Sequence, residues 1–194
     1  MSNESVPRRQ NARDLAKLKN INHTLNELSK EFPKFKLVKK SSSTFMKVLN
    51  VLLRILTLNS QKYFMTKYIT TINETIYVPD EWEKYDDRSK IVILRHERIH
   101  LRQKKKYTFF LFMLLYLFLP FPVFFAYFRT KFEKEAYEES ISVKAALYGR
   151  NSIKSPEYKD FLVKQFTTSM YGWMWIFKGS IEQWVNETVD KYSK

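Results

Sequence analysis

Three polar residues in the stretch from Ile91 to Gln103 have the types and the spacing that metal chemistry needs. His96 and His100 are four residues apart, so on a helix they share one face and can point at one ion. Glu97 lies about 100° further round the helix, where its carboxylate can reach a water molecule beside that ion. Two imidazoles and one carboxylate leave the fourth position of a zinc ion open. The pattern therefore predicts a zinc site suited to hydrolysis.

The neighbouring residues predict the amphipathic helix that such a site requires. The side chains that continue the histidine face are mostly apolar: Val92, Ile93, Ile99 and Gln103. Basic side chains follow one another on the opposite face: Arg95, Arg98, Arg102 and Lys105. An ordinary amphipathic helix with two histidines is the alternative interpretation. We favour the metal site because two of the three histidines of the chain fall in this motif.

Composition limits the chemistry and suggests the partners. The 194 residues include no cysteine, which excludes disulfides, thiolate metal ligands and a cysteine nucleophile. The net charge of +14 suits an acidic partner, which could be protein, nucleic acid or an anionic membrane surface. A solvated basic surface is the simpler interpretation. The polar N-terminal residues lack the apolar core of a signal peptide, so we expect an intracellular or virion-associated protein.

The elements that position the motif can be predicted from apolar spacing. Residues 1–10 are expected to be a flexible tail and residues 11–194 a single domain, with the site in 63–148 and C-terminal helices in 157–194. Before the motif, the pattern predicts a helix over 11–30, a strand within 32–39 and a strongly apolar helix over 44–56. That helix could pack in the core or lie on a membrane, and the core is the commoner outcome. Tyr63 to Ile72 and Thr75 to Val78 predict a hairpin whose second strand, ended by Pro79, is an edge strand. Asp80 or Asp86 is expected to start the helix that carries the histidines.

A second long helix is predicted after the motif, over 129–147, where Gly149 ends it. It carries Glu133 and Ala136, so that His96-Glu97-x-x-His100 is followed by Glu133-x-x-Ala136. This pair of motifs resembles the gluzincins, which are thermolysin-like zinc peptidases. The stretches 75–79 and 133–137 are also similar to those of small members of this group, often encoded by phages.

The resemblance implies a role for each residue. His96, His100 and Glu133 would bind Zn²⁺, and Glu97 would be the general base. Gluzincins have an aspartate where this chain has Tyr137, whose phenol would then be the hydrogen-bond partner of a ligand histidine.

Other residues are candidates for two of the roles. Glu135 is the rival ligand, but it lies about 200° round the helix from Glu133, away from Ala136. Tyr137, Tyr148 and Tyr171 are candidates for stabilising an oxyanion.

The uncharged segment 107–128 has the composition of a transmembrane helix. However, only 32 residues separate His100 from Glu133, too few to cross a bilayer and return. If both residues bind one ion, the segment packs in the core, forms a shallow re-entrant hairpin, or contacts a partner or the membrane interface. We therefore predict that it does not span a membrane.

The sequence thus predicts an α+β fold, mainly helical, with a motif helix, a small β-sheet or hairpin and a second ligand-bearing helix. The predicted function is a zinc-dependent peptidase that acts on a peptide or protein. Two other functions remain open. One is a catalytically silent zincin-fold structural or assembly protein, such as a virion component. The other is a membrane-associated protein in which the motif is accidental.

Overall fold

The computed structural model describes residues 16–56, 59, 63–107, 111, 126–168, 174–175 and 177–194. These residues form a mainly helical fold with one small sheet, which confirms the predicted α+β class. The helices are α1 (Ile21–Glu31), α2 (Thr44–Leu56), α3 (Asp87–Tyr107), α4 (Tyr127–Tyr148), α5 (Asn151–Lys154), α6 (Pro156–Thr167) and α7 (Lys178–Ser193). The strands are β1 (Lys36–Lys39), β2 (Thr70–Ile72) and β3 (Thr75–Val78).

The helix predicted over 11–30 is interrupted at Asn20. Residues 16–18 are helical, and α1 starts only after Asn20. The Asn20 side chain accepts hydrogen bonds from the backbone N–H groups of Asn22 and His23, so it caps the new helix. Apolar spacing alone did not reveal this break, because the side chains on both sides of it keep helical spacing.

Helix α1 covers part of the basic face of α3 with carboxylates. Arg95 Nη1 lies 3.0 Å from Glu27 Oε2, and Arg98 Nη2 lies 2.6 Å from Glu31 Oε2. The Arg98 side chain is only 13% exposed as a result. The expectation of a solvated basic face was therefore wrong for these arginines, since α1 neutralises them.

The predicted hairpin is present, but its first strand is limited to Thr70–Ile72, because residues 63–67 form a turn, and its second strand is not an edge. Strands β2 and β3 pair antiparallel, and β1 pairs with β3 in parallel, with Leu37 opposite Ile76. The order β1-β3-β2 makes β3 the central strand, so the prediction of an edge strand ending at Val78 was wrong. Pro79 follows the last paired residue and leaves the ladder intact. The edge strand of the hairpin is β2.

Helix α2 has the predicted position, but much of its apolar surface is exposed. Met46 is fully buried. Five large apolar side chains of this helix are at least half exposed: Phe45, Val48, Val51, Leu52 and Ile55. The expectation that the helix belongs to the core was wrong for this face, because amphipathicity shows that a helix has two faces but not whether a neighbour covers each.

Helices α3 and α4 form the pair that carries the predicted site. Asp86, one of the two residues expected to start α3, accepts a 3.1 Å hydrogen bond from the Ser89 backbone N–H. Helix α4 ends at Tyr148, and Gly149 adopts the positive φ of +88° that favours glycine. Ile91 of α3 packs with Val143 of α4 in a buried cluster. Buried side chains of α4 also contact α6 and α7.

Several predictions concern residues outside the described ranges and stay predictions. They include the flexible tail over 1–10 and most of the 107–128 segment. Among the helices that the structure describes, none is both long enough and apolar enough to cross a bilayer.

Removing a side chain at the sheet-facing side of α3 should destabilise the fold. Leu94 is 0% exposed and packs with Ile76 and Trp82. We expect Leu94→Ala to lower the free energy of unfolding by about 2–5 kcal/mol, because it leaves a cavity. The matched change Leu52→Ala, at a side chain 50% exposed, should alter it by less than about 0.5 kcal/mol. Urea denaturation measures both, and equal effects would contradict this description of the core.

Candidate metal centre

The structure brings His96, His100 and Glu133 together between α3 and α4. His96 Nε2 lies 3.2 Å from His100 Nε2. Glu133 Oε2 is 3.5 Å from His96 Nε2, and Glu133 Oε1 is 3.4 Å from His100 Nε2. Zinc–ligand bonds of about 2.1 Å at the tetrahedral angle place ligand atoms about 3.4 Å apart. The separations are close to this spacing, with one Glu133 oxygen facing each histidine, and when one atom is taken from each residue the three lie within 4.8 Å of one another.

Gln103 fixes the ring orientation of His100. Its side-chain N–H₂ donates to the Phe132 carbonyl at 3.0 Å and to Glu135 Oε2 at 2.8 Å. Its amide oxygen therefore faces His100 Nδ1 at 2.9 Å and accepts a hydrogen bond from it. With one proton on Nδ1, the neutral ring has its lone pair on Nε2, which faces the ligand cluster.

Ser140 fixes the other histidine in the same way. Its hydroxyl donates to the Ala136 carbonyl at 3.1 Å. A hydroxyl has one proton, so the Ser140 oxygen accepts from His96 Nδ1, which lies 3.1 Å away. Both imidazoles thus present Nε2 to Glu133, and the donor set is the one that zinc prefers.

Tyr137 and Glu135 have positions that differ from ligand positions. The Tyr137 ring packs edge-on against the His96 ring, with centroids 4.7 Å apart. Ser140 makes the hydrogen bond to His96 Nδ1, and the hydrogen bond expected of Tyr137 stays a prediction. Glu135 contacts Gln103 and lies outside the cluster of three candidate ligands.

In the cluster, burial and the neighbouring charges act in opposite directions on the pKa values of Glu133 and His100. Burial tends to raise the pKa of Glu133, which is 1% exposed, but the imidazoles of His100 and His96 hold it well below its ordinary value. Burial tends to lower the pKa of His100, but the Glu133 and Glu97 carboxylates and the Gln103 side chain raise it to about 9. In the zinc-free protein, His100 and Glu133 are therefore an ion pair at neutral pH.

Glu97 lies outside the ligand cluster, turned toward the sheet. Its side chain is buried, and its Oε2 accepts a 2.5 Å hydrogen bond from Thr71 Oγ1 of β2. The strand thereby holds one carboxylate oxygen. Glu97 also lines the pocket described below, beside His96. Glu97 and His96 therefore face the same pocket.

Two buried lysines surround Glu97. Burial lowers the pKa of Lys104 to about 8 and that of Lys40 to about 7, although the Glu97 carboxylate raises both. Lys104 Nζ donates to the Thr71 carbonyl. Lys40 Nζ donates to the Phe64 carbonyl at 2.6 Å. Both lysines therefore interact electrostatically with Glu97 while donating to backbone carbonyls.

A pocket of about 380 Å³ opens beside His96 and Glu97. Its wall carries four tyrosines and two lysines: Tyr68, Tyr137, Tyr148, Tyr158, Lys67 and Lys144. Lys144 Nζ lies 4.6 Å from the ring centroid of Tyr148 and 4.9 Å from that of Tyr158. Of the described residues that line the pocket, only Glu97 has a carboxylate.

Tyr148 and Tyr171 are the other two candidates for stabilising an oxyanion. The hydroxyl of Tyr148, which lines the pocket, donates to Asp86 Oδ1 at 3.0 Å. Burial raises the pKa of Tyr148. Tyr171 lies outside the described residues.

Sequence reasoning gave no role to four residues of this site. Gln103 and Ser140 hydrogen-bond to the histidines, Thr71 donates to Glu97, and Lys104 donates to the Thr71 carbonyl. Helical spacing could have indicated two of them, since Gln103 is three residues from His100 and Ser140 is one turn beyond Ala136. The contact of Thr71 with Glu97 joins distant parts of the chain and has no local signal.

Comparisons with protein-family models, curated proteins and solved structures found no match to this chain. The resemblance to gluzincins therefore rests on the motifs and on the convergence of their side chains.

Replacing one candidate ligand at a time should identify the metal centre. We expect the purified protein to bind one zinc ion per chain and His100→Ala or Glu133→Gln to lose it, because each change removes a ligand atom. Glu135→Gln is the matched control and should retain zinc. Elemental analysis of dialysed protein gives the stoichiometry. Zinc loss in Glu135→Gln but not in Glu133→Gln would show that the other carboxylate is the ligand.

Zinc affinity should depend on pH through His100. A ligand imidazole must be neutral, and the pKa of about 9 keeps His100 protonated in the zinc-free protein at neutral pH. We therefore expect affinity to rise about tenfold per pH unit from about pH 7 to 9 and then to level off. Competition with a chelator of known pH dependence measures this. A flat affinity over that range would contradict the ion pair between His100 and Glu133.

Proposed function

We propose that this protein is a zinc-dependent peptidase. One observation carries the proposal: His96, His100 and Glu133 converge at separations suited to one zinc ion, with Glu97 buried beside them. An accidental motif predicts two histidines on a helix face but gives no reason for a buried carboxylate on another helix to meet them. The fixed Nδ1 protons of both rings give further support.

The division of roles follows from the contacts of each side chain. His96, His100 and Glu133 would hold the ion, which would supply polarisation of a peptide carbonyl and acidification of a water molecule. Glu97 would take a proton from the attacking water and pass it to the leaving amine. Thr71 occupies Glu97 Oε2, which leaves Oε1 for the proton. The substrate is a peptide or a protein.

The outer edge of β2 is the place for an extended substrate in this proposal. A two-residue turn closes the hairpin, so the register that pairs Thr71 with Ile76 directs the N–H and C=O of Thr71 away from β3. The hydrogen bond from Lys104 to the Thr71 carbonyl agrees with this direction. A substrate backbone can pair with this edge, beside Glu97.

The charge of the pocket favours acidic substrate side chains. Lys67 and Lys144 line it, and Glu97 is the only carboxylate among its described lining residues. A basic substrate side chain would meet like charges there, whereas an acidic one meets a lysine ammonium held against tyrosine rings.

Replacing the base should separate catalysis from metal binding. We expect Glu97→Gln to retain zinc and the fold but to lower peptide hydrolysis by at least about 10²-fold, because the amide accepts no proton at neutral pH. The measurement is cleavage of a mixed peptide library followed by mass spectrometry. Glu83→Gln is the matched control on the surface, where Glu83 is paired with Lys39.

The same experiment distinguishes the other functions. A zincin-fold structural protein would bind zinc but leave the library intact in the wild type. A protein with an accidental motif would bind no zinc. Undiminished cleavage by Glu97→Gln would contradict the role of Glu97.

Substrate selectivity should depend on Lys144. For wild type, we expect the ratio of kcat/KM between otherwise identical peptides with Glu and with Lys to exceed about 10, since each charge interaction contributes about 1 kcal/mol or more in a partly buried site. Lys144→Gln should lower this ratio. Lys154→Gln, at an exposed position outside the pocket, is the control. A ratio unchanged by Lys144→Gln would show that the pocket does not receive the variable side chain.

A further inference from the structure

The exposed side of α2 is a continuous apolar face. Phe45, Val48, Leu52 and Ile55 recur every three or four residues, and Val51 lies beside them. Their exposed fractions run from 50% for Leu52 to 67% for Ile55. The opposite side contains the fully buried Met46. Single exposed apolar residues are common, but an aligned set on one helix indicates a surface that binds something apolar.

The stretch of sequence that contains this face carries charges of one sign only. Residues 32–73, which contain α2, include no aspartate and no glutamate. The cations of this stretch are Lys34, Lys36, Lys39, Lys40, Lys47, Arg54, Lys62 and Lys67. Lys47 and Arg54 belong to α2 itself, are exposed and lie at the border of the apolar face. Their long side chains can extend from the apolar boundary toward anionic groups.

We propose that α2 binds the surface of an anionic membrane, with the helix parallel to the bilayer. A lipid surface offers both an apolar layer for Leu52 and its neighbours and headgroup phosphates for Lys47 and Arg54. Nucleic acid offers phosphates but no apolar layer for branched aliphatic side chains. An acid-free stretch gains from a negatively charged surface and repels a basic one. This binding is independent of the proposed peptidase activity.

A fluorescent label on α2 tests the contact directly. The chain has no cysteine, so Leu52→Cys provides one attachment site for an environment-sensitive dye. Vesicles of phosphatidylcholine with phosphatidylserine should shift the emission of this label to the blue and increase it several-fold, because the dye enters an apolar layer. Lys178→Cys, at an exposed position on α7, is the matched control and should show no shift. Equal shifts at both positions, or none at Leu52→Cys, would overturn the proposal.

Sedimentation of the unlabelled full chain with vesicles tests the chemistry. We expect binding to vesicles that contain phosphatidylserine and at least about tenfold weaker binding to phosphatidylcholine alone. The double variant Leu52→Gln/Ile55→Gln should lose most of the binding. Phe177→Gln removes an exposed apolar side chain on another part of the chain and should retain it. Thermal denaturation of each variant checks that it is folded.

The cations require their own pair of variants. Lys47→Gln/Arg54→Gln should weaken binding to anionic vesicles by about tenfold, while Lys164→Gln/Lys178→Gln removes the same charge elsewhere and should weaken it less.

Equal binding to neutral vesicles would overturn the role of charge. Full binding by the Leu52→Gln/Ile55→Gln variant would assign membrane contact to another segment. Binding to duplex DNA but not to vesicles would assign the surface to nucleic acid. Glu97→Gln should bind vesicles as the wild type does, which separates this proposal from the peptidase.

Discussion

The site and the packing of its two helices depend on one buried carboxylate. Glu133 is 1% exposed, and an ionised carboxyl group is costly to remove from water unless a cation or a metal meets it. The imidazoles of His96 and His100 meet it from α3 at 3.5 and 3.4 Å. Sliding α4 along α3 by one residue would bury this charge without a partner. The side chains that can hold an ion therefore also specify how the helices cross.

The hydrogen bonds behind the imidazoles bind each helix to the other. Gln103 of α3 holds His100 and donates to the Phe132 carbonyl of α4. Ser140 of α4 accepts from His96 of α3. Ring orientation and helix packing thus depend on the same contacts. A loss of either polar side chain would loosen the ligands and the crossing together, so the effects of such changes on metal binding and on stability are coupled.

Local spacing predicted the parts of this structure that depend on one helix at a time. The face shared by His96 and His100, the start of α3 at Asp86 and the end of α4 near Gly149 follow from sequence patterns. The central position of β3 does not, because β1 pairs with it across about forty residues of sequence. The exposed face of α2 does not either, because apolar spacing predicts an apolar face without saying what lies against it.

Glu97, like Glu133, is a buried carboxylate that needs cationic or hydrogen-bonding neighbours, and these neighbours fix how α3 lies against the sheet. Its cationic neighbours come from different elements, with Lys104 on α3 and Lys40 just after β1. Burial lowers the pKa of both lysines, and Glu97 offsets part of that cost. Thr71 adds a hydrogen bond from β2. The sheet is therefore held against α3 by charge as well as by apolar contacts. Glu133 joins α3 to α4, and Glu97, the residue after His96, joins α3 to the sheet.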